Sequence, residues 1–406
     1  MTTPGSRPVE RHLPSEEAVA LLDLTRELAT EELAPRVTAY EGESRFPREV
    51  FHTIGKAGLL GLPYDERWGG GGQPYEVYLQ VVEELATVWA TVAEGVSVHT
   101  LACYPLAGFG SDEQRDRWLP GLLGGDLLGA YCLSEPQSGS DAAALTTRAV
   151  ADGDVYVVDG TKSWITHGGE ADFYSLLCRT SDDGSRGISC LLVDATTDGV
   201  SAAAPERKMG FTGSTTAQMR FDGARIGRDR LLGAEGEGFG IALSALDGGR
   251  LGIAACAVGL AQNALDVAVA WAGERRQFGK ELRDFQGVSF MLADMATGVE
   301  AGRALYLAAA RRRDRGEAFG KQAAMAKLFC TDMAMKVTTD AVQVLGGYGY
   351  VQDFPVERLM REAKALQIVE GTNQVQRMVI GRHLKVGTSG ADVGPASPIG
   401  GVDGTR

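Results

Sequence analysis

From Ser15 onward the apolar positions repeat with the spacing of a helix. Leu21, Leu24 and Leu28 fall on one face, and Ser15 is placed to cap it. Pro47 to Leu59 predicts another helix, with Pro47 in the first turn, where a missing N–H costs nothing. The Gly-rich stretch Trp68-Gly-Gly-Gly-Gly-Gln73 lacks the Gly-Lys-Ser/Thr ending of a phosphate loop and reads as a turn. Tyr75 to about Cys103 is rich in Ala, Val and Leu and predicts a long helical stretch ended by Pro105. Ser111-Asp-Glu-Gln114 has the form of a capping box for a helix running through Trp118. Residues 15–125 therefore predict an all-helical domain behind a flexible lead-in over residues 1–14.

The period then changes. Leu127 to Leu133, Val155 to Val158, Phe173 to Cys178, Ile188 to Val193 and Gln218 to Phe221 are short β-type runs separated by Gly, Asp, Ser and Thr. They predict a small β-barrel or sandwich over residues 126–235. Strand–helix–strand alternation is missing, which disfavours a Rossmann domain. The glycines at 233, 236, 238 and 240 accordingly read as a loop entering a helix. Helical spacing returns from Phe239, with Val288, Leu292, Met295 and Val299 as one core-facing stripe. Helices over about 239–272, 284–314, 317–345 and 371–385 predict a C-terminal four-helix bundle spanning 236–385. The Gly-, Ser-, Pro- and Asp-rich tail, 386–406, reads as disordered. The fold class is α+β: helices, a β domain, then a bundle.

Composition narrows the function. The chain has 406 residues and a net charge of -13, which disfavours nucleic-acid binding. Its one basic triplet, Arg311-Arg312-Arg313, lies in a helical pattern and reads as a solvated face. Six scattered cysteines form no Cys-x-x-Cys pair, so a zinc site or disulfide framework is not expected, nor is any other metal. The N-terminus lacks the apolar core of a signal peptide. Leu251 to Ala272 is nearly apolar but carries Gln262, Asn263 and Asp266, and reads as a buried bundle helix. A cytoplasmic protein without a membrane span is expected.

One stretch concentrates the chemistry: Ile368-Val-Glu-Gly-Thr-Asn-Gln-Val-Gln-Arg377. It sets the single carboxylate Glu370 between apolar Ile368-Val369 and the turn residues Gly371, Thr372 and Asn373. That setting suits a general base facing an apolar cleft, its pKa raised by desolvation and lowered by the following helix N-terminus. It suits a surface residue opening the last helix equally well. Other stretches are as ambiguous alone. Tyr131 to Asp141 reads as a hairpin loop, Trp164 as core, Arg250 as a salt-bridged helix residue, and Arg275 and Gln286 as helix-surface polarity.

Taken together, these stretches resemble the acyl-CoA dehydrogenase family of flavoproteins, in its short-, medium- and branched-chain members. The resemblance runs through Tyr131-Cys-Leu-Ser-Glu-Pro-Gln-Ser-Gly-Ser-Asp141, Gly160-Thr-Lys-Ser-Trp-Ile-Thr-His167, Asp247-Gly-Gly-Arg250, Arg275-Arg-Gln-Phe-Gly279, Gln343-Val-Leu-Gly-Gly-Tyr-Gly-Tyr350 and the Glu370 stretch. Six motifs in order and register, over about residues 15–385, make it specific.

The resemblance implies FAD as cofactor. Tyr131, Cys132, Leu133, Ser134, Gly139 and Ser140 match the loop against the isoalloxazine ring, Ser140 also meeting the CoA portion. Trp164, Ile165 and Thr166 match the segment on the flavin face away from substrate. Arg275, Gln286 and Gln343-Val344-Leu345-Gly346-Gly347 match the site for the FAD pyrophosphate and adenine across a subunit interface, which implies a homo-oligomer, usually a tetramer. Thr372, Asn373 and Gln374 match the last FAD-contacting turn. Asp247, Arg250, Val369 and Gly371 fall on the substrate side.

Glu370 matches the catalytic base. The implied reaction converts a short, medium or branched acyl-CoA to the trans-2-enoyl-CoA, with the α-proton going to Glu370 and the β-hydride to flavin N5. An electron-transferring flavoprotein is the implied acceptor. An acyl-carrier-protein dehydrogenase, an acyl-CoA oxidase and a non-catalytic acyl-CoA-binding homologue are the alternatives on the same scaffold. Val369 replaces a common Tyr, which implies a wider pocket. His167 replaces a common Asn and is expected to pack. His99 is expected to be a satisfied core histidine.

Overall fold

The computed structural model describes residues 9 and 11–384. The tail expected to be disordered lies outside them, as does most of the lead-in. Helix α1 (Glu16–Leu28) starts at Ser15, whose Oγ accepts from Ala18 N at 3.1 Å. Two short helices follow, α2 (Val37–Glu43) and α3 (Arg48–Lys56). The glycine stretch makes a tight turn. A Cβ on Gly70 would stand 2.1 Å from the Tyr64 carbonyl oxygen, so only glycine fits.

The long helix expected over residues 75–103 is two helices, α4 (Tyr75–Ala86) and α5 (Ala90–Phe109). The break falls at Trp89, which is extended and donates its indole N–H to the buried Glu41 at 2.8 Å. That tertiary bond fixes the break where propensity alone shows none. Pro105 does not end the helix but sits inside α5. Its missing N–H leaves the Leu101 carbonyl without its helical partner, and the hydroxyls of Tyr64 and Ser175 donate to the flanking Thr100 and Ala102 carbonyls. Helix α6 (Asp112–Leu123) has the expected capping box, with both Ser111 and Gln114 bonds made.

The middle of the chain is one eight-stranded sheet: β1 (Gly129–Cys132), β2 (Arg148–Asp152), β3 (Val155–Thr166), β4 (Phe173–Arg179), β5 (Ile188–Asp194), β6 (Val200–Ala202), β7 (Thr216–Gly227) and β8 (Leu231–Leu232). The order is β6-β7-β3-β2-β4-β5-β8, with β1 parallel on β4. Strand β3 runs on to Thr166, well past the expected Val158, because β7 pairs with it along its length.

Helix α7 (Gly238–Glu274) is the pillar of the molecule. It is long and apolar enough to cross a membrane by composition, but Gly248 to Ala261 are buried on every side against α4, α5 and later helices. Burial all round explains why its sequence carries no amphipathic stripe. A hairpin, β9 (Arg276–Gln277) and β10 (Lys280–Glu281), leads to α8 (Gln286–Asp314) and α9 (Gly320–Leu345). A further helix the pattern did not predict, α10 (Val356–Leu366), precedes α11 (Asn373–Leu384). One apolar core joins the N-terminal helices to the bundle through Trp89, Leu251, Met295, Val337 and Leu366. Two others lie between α5, α6 and the sheet, and within the sheet. The connection from α10 to α11 runs beside α7.

Candidate active site

Glu370 sits in that connection. Its φ is +54°, and Gly371 follows at +86°. A left-handed glutamate is uncommon and costs about 1 to 2 kcal/mol. The turn aims the side chain at α7: a Cβ on Gly249 would lie 2.7 Å from Glu370 Oε2. That oxygen is buried and has no hydrogen-bond partner among the described residues. Burial pushes the Glu370 pKa up to about 7; Arg250 pulls it down, Glu94 pushes it up, and Lys327 pulls it down. No bond engages the Glu370 N–H among the described residues. An acid poised near neutrality beside a free N–H can take a proton from carbon and polarise a neighbouring carbonyl.

Arg250 forms an ion pair with Asp247, the structural alternative the sequence left open. It is buried, and its Nε has no partner. Val369 is half-buried against the main core. Of the next three residues, Thr372 caps α11 with its Oγ1, accepting from Val375 N at 3.3 Å, and Gln374 is exposed. Asn373 is buried, and both ends of its amide are engaged by Lys327, Thr331 and Asp332. Its side chain holds the turn and is not free for a ligand.

A second strained residue lies on the sheet. Between Lys162 and Ile165 the β3–β7 register slips by one residue, and Trp164 in this bulge has φ +62°. Its side chain is 65% exposed, so the core packing common for a strand tryptophan does not apply. The bulge turns it out, while its neighbour Ile165 points into the sheet core, as does Cys132. These two can meet a ligand only through their backbone. Thr166 donates its hydroxyl to Glu94 Oε1 at 3.2 Å, and Glu94 Oε2 is buried without a partner.

The loop after β1 is held by an ion pair that sequence reasoning missed, although both partners lie in quoted motifs. Glu135 Oε1 accepts from Lys162 Nζ at 2.8 Å, both fully buried, and Lys162 also donates to the Leu133 carbonyl at 3.0 Å. Glu135 further accepts from Thr146 N at 2.7 Å and Thr147 N at 2.8 Å. Burial would raise Glu135, but Lys162 and these bonds outweigh it and hold the carboxyl at about 2. Burial pulls the other way on Lys162, whose pKa falls despite Glu135. The contact geometry, with Lys162 bonded to both the Glu135 carboxylate and the Leu133 carbonyl, favours the charged pair. Ser134 is thereby fixed, its carbonyl accepting from Ser163 N at 2.8 Å. Gly139 and Ser140 are exposed, and a Cβ on Gly139 would meet nothing within 4 Å. The Tyr131 hydroxyl is buried without a partner; burial raises its pKa, and Glu370 is among the charges adding to that rise.

Arg275, Val344, Leu345, Gly346 and Gly347 come together, with Trp271, around a cavity of 440 Å³. Gln286 and Gln343 are exposed but outside its lining. His99 is a satisfied core histidine, taking Gly129 N on Nδ1 at 3.0 Å and bonding the Leu122 carbonyl through Nε2 at 3.0 Å. His167 bonds the Gly129 carbonyl through Nδ1 at 3.0 Å and packs edge-on against Phe46 and Phe51.

This arrangement of domains has known counterparts. Three family models match in register: acyl-CoA dehydrogenase N-terminal domain over residues 15–126, middle domain over 130–224 and C-terminal domain over 236–385. The chain belongs to the acyl-CoA dehydrogenase family. It is 44% identical over 376 residues to an acyl-CoA dehydrogenase of Bacillus subtilis (strain 168), covering 92% of this chain and 99% of the relative. The structure is similar to butyryl-CoA dehydrogenase from Megasphaera elsdenii, with 39% identity and a TM-score of 0.90 over 92% of this chain and 100% of that one. It is also similar to a chain in the structure described as electron transferring flavoprotein of Acidaminococcus fermentans, with 41% identity and a TM-score of 0.91 over 93% and 100%.

Acyl-CoA dehydrogenases are FAD-dependent flavoproteins, and this one is an FAD enzyme. The residues present fit that cofactor. An exposed indole held in a bulge offers a face for a flat ring system. Orphaned buried groups, Tyr131 Oη and Ser163 Oγ, flank the loop behind it. Arg275 with the Gly346-Gly347 turn offers charge and close backbone approach to an anionic diphosphate.

Proposed function

We propose that this acyl-CoA dehydrogenase carries out α,β-dehydrogenation of a short-, medium- or branched-chain acyl-CoA, with Glu370 as the base that removes the α-proton. The observation carrying this reading is the Glu370 carboxyl itself: buried, unpartnered at Oε2, aimed at Gly249 and held near neutral pKa.

The thioester α-proton is weakly acidic. Its removal needs a desolvated carboxylate within reach and donors on the carbonyl oxygen as charge develops there. Glu370 Oε2 takes the proton, and the free Glu370 N–H is the donor the chain offers to that oxygen. Arg250 places a cation on the substrate side, which favours the ionised base. Bound FAD supplies the acceptor for the β-hydride. Trp164 and the Glu135–Lys162 loop hold its ring in place and exclude water. Arg275 and the 343–347 turn bind its diphosphate and adenine, and Thr372 and Gln374 border it at the α11 turn.

Ser140 and Asp247 lie on the CoA side. The butyryl-CoA relative favours a short acyl chain, and Val369, small and half-buried beside the base, leaves room for branching. The structure described as an electron transferring flavoprotein supports such a protein as electron acceptor. A cytoplasmic homotetramer, with domains divided near residues 125 and 235, completes the reading.

An anaerobic screen of acyl-CoA thioesters of varied length and branching tests it. Bleaching of the flavin band by one short, medium or branched class is expected. A flavin left oxidised by all of them overturns the reading.

A further inference from the structure

The strained turn that carries Glu370 is held both from α11 and from α9, far away in sequence. The Glu370 and Gly371 carbonyls both point inward. Gln376 Nε2, on α11, donates to them at 3.1 and 2.8 Å. Lys327 Nζ, on α9 and 44 residues away, donates to the Gly371 carbonyl at 2.9 Å and to Asn373 Oδ1 at 2.8 Å. The Asn373 amide in turn donates to Thr331 Oγ1 at 2.9 Å and Asp332 Oδ1 at 2.6 Å, and Asn373 N closes the loop on the Gln367 carbonyl at 3.0 Å.

Lys327 is fully buried, yet it forms no ion pair among the described residues. A buried ammonium bonded only to neutral oxygens is costly, and a polar uncharged side chain would satisfy the same acceptors. Its nearest charges are Glu370, Asp332 on its own helix, and Arg250 on α7. Burial pulls its pKa down to about 7, with Glu370 and Asp332 pushing up and Arg250 pulling down.

We propose that Lys327 is a positioning residue for Glu370: its bonds to Gly371 and Asn373 hold the left-handed turn, and in its protonated form it favours the Glu370 carboxylate. This rests on Glu370 being the base. The charges facing Glu370 are then Arg250 from α7, Glu94 from α5 and Lys327 from α9. Removing Lys327 leaves Glu94 opposed by Arg250 alone, so the carboxyl holds its proton to higher pH.

The test is the rate of anaerobic flavin reduction against pH, on FAD-loaded enzyme saturated with the best acyl-CoA of the screen. Lys327→Met is expected to keep FAD and reduce flavin at least about tenfold more slowly at pH 7, a loss near 1.4 kcal/mol. Its rate midpoint is expected to move up by roughly half a pH unit or more. Lys327→Gln keeps a donor for the Gly371 carbonyl and removes the charge. It should show the upward midpoint with a plateau rate close to wild type, and it carries the test if Lys327→Met does not load FAD. A wild-type midpoint in Lys327→Gln, with Glu370→Gln inactive, overturns the role of Lys327 while leaving the base assignment standing. A Glu370→Gln enzyme that reduces flavin normally sinks the base assignment instead.

Discussion

Glu370 and Gly249 are in mutual contact across the site, the carboxylate oxygen standing where α7 has no side chain. A Cβ on Gly249 would lie 2.7 Å from Oε2, and the atom it meets is the free end of a flexible side chain. Gly249→Ala therefore moves the carboxylate at little cost to the fold, and helix propensity even favours alanine by about 1 kcal/mol. We expect a melting temperature equal to or above wild type and flavin reduction slowed at least about tenfold, since small displacements of a reacting group are costly. Stopped-flow reduction alongside calorimetry separates the two effects.

Trp164 gives a prediction that distinguishes a ligand platform from a core residue. A core tryptophan replaced by a small residue costs about 3 to 5 kcal/mol. Trp164 is 65% exposed and left-handed. Trp164→Gly removes little packing and relieves a strained φ. The apo-protein should change in stability by less than about 1 kcal/mol. Affinity for FAD should fall roughly tenfold with the loss of ring stacking. Chemical denaturation of the apo-protein and fluorescence titration with FAD measure the pair.

Much of this was legible in the chain and some was not. Ser15 and the Ser111–Gln114 capping box depend on three or four adjacent residues, so their helix starts could be read directly. The break at Trp89 depends on Glu41, 48 residues earlier, and the bonds to the helix around Pro105 come from Tyr64 and Ser175, far away in sequence. The motif around Trp164 was visible, but its outward face follows from a register slip against β7. Glu135 and Lys162 stand in quoted motifs, but 27 residues apart, so their pairing shows only in the folded sheet. Lys327 gave no signal at all. On a helix that mixes buried and exposed positions it reads as one more polar residue.

The Glu135–Lys162 pair should be the most sensitive point of the middle domain. Glu135→Ala leaves a buried ammonium unpaired and frees two backbone N–H groups. The expected cost is about 3 to 5 kcal/mol. A thermal shift of less than about 2 °C would show that the pair does not hold the loop.

The pH dependence of stability has two limbs. Glu135, held at about 2 when folded, favours folding above its unfolded value of 4.5, and that contribution is lost as pH falls from 4.5 toward 2. Burial holds Glu94 and Glu362 at about 7, so these groups favour folding at low pH. Their contribution is lost as pH rises from 4.5 through 7, because the unfolded chain ionises first. Glu94→Gln should remove about 2 to 3 kcal/mol of the decline between pH 5 and 8. Urea unfolding of the apo-protein at several pH values reads this directly, and a variant with the wild-type slope would contradict it.

If Glu370 takes the α-proton, removing its basicity alone should stop flavin reduction. The direct measurement is anaerobic mixing of FAD-loaded Glu370→Gln with an acyl-CoA that bleaches the wild type, followed at the flavin band. The amide keeps the size and the turn but cannot accept the proton. Normal FAD content, a bound thioester and no bleaching are expected, against a wild-type rate that rises with pH through about 7. Bleaching of Glu370→Gln at the wild-type rate would contradict that role for Glu370.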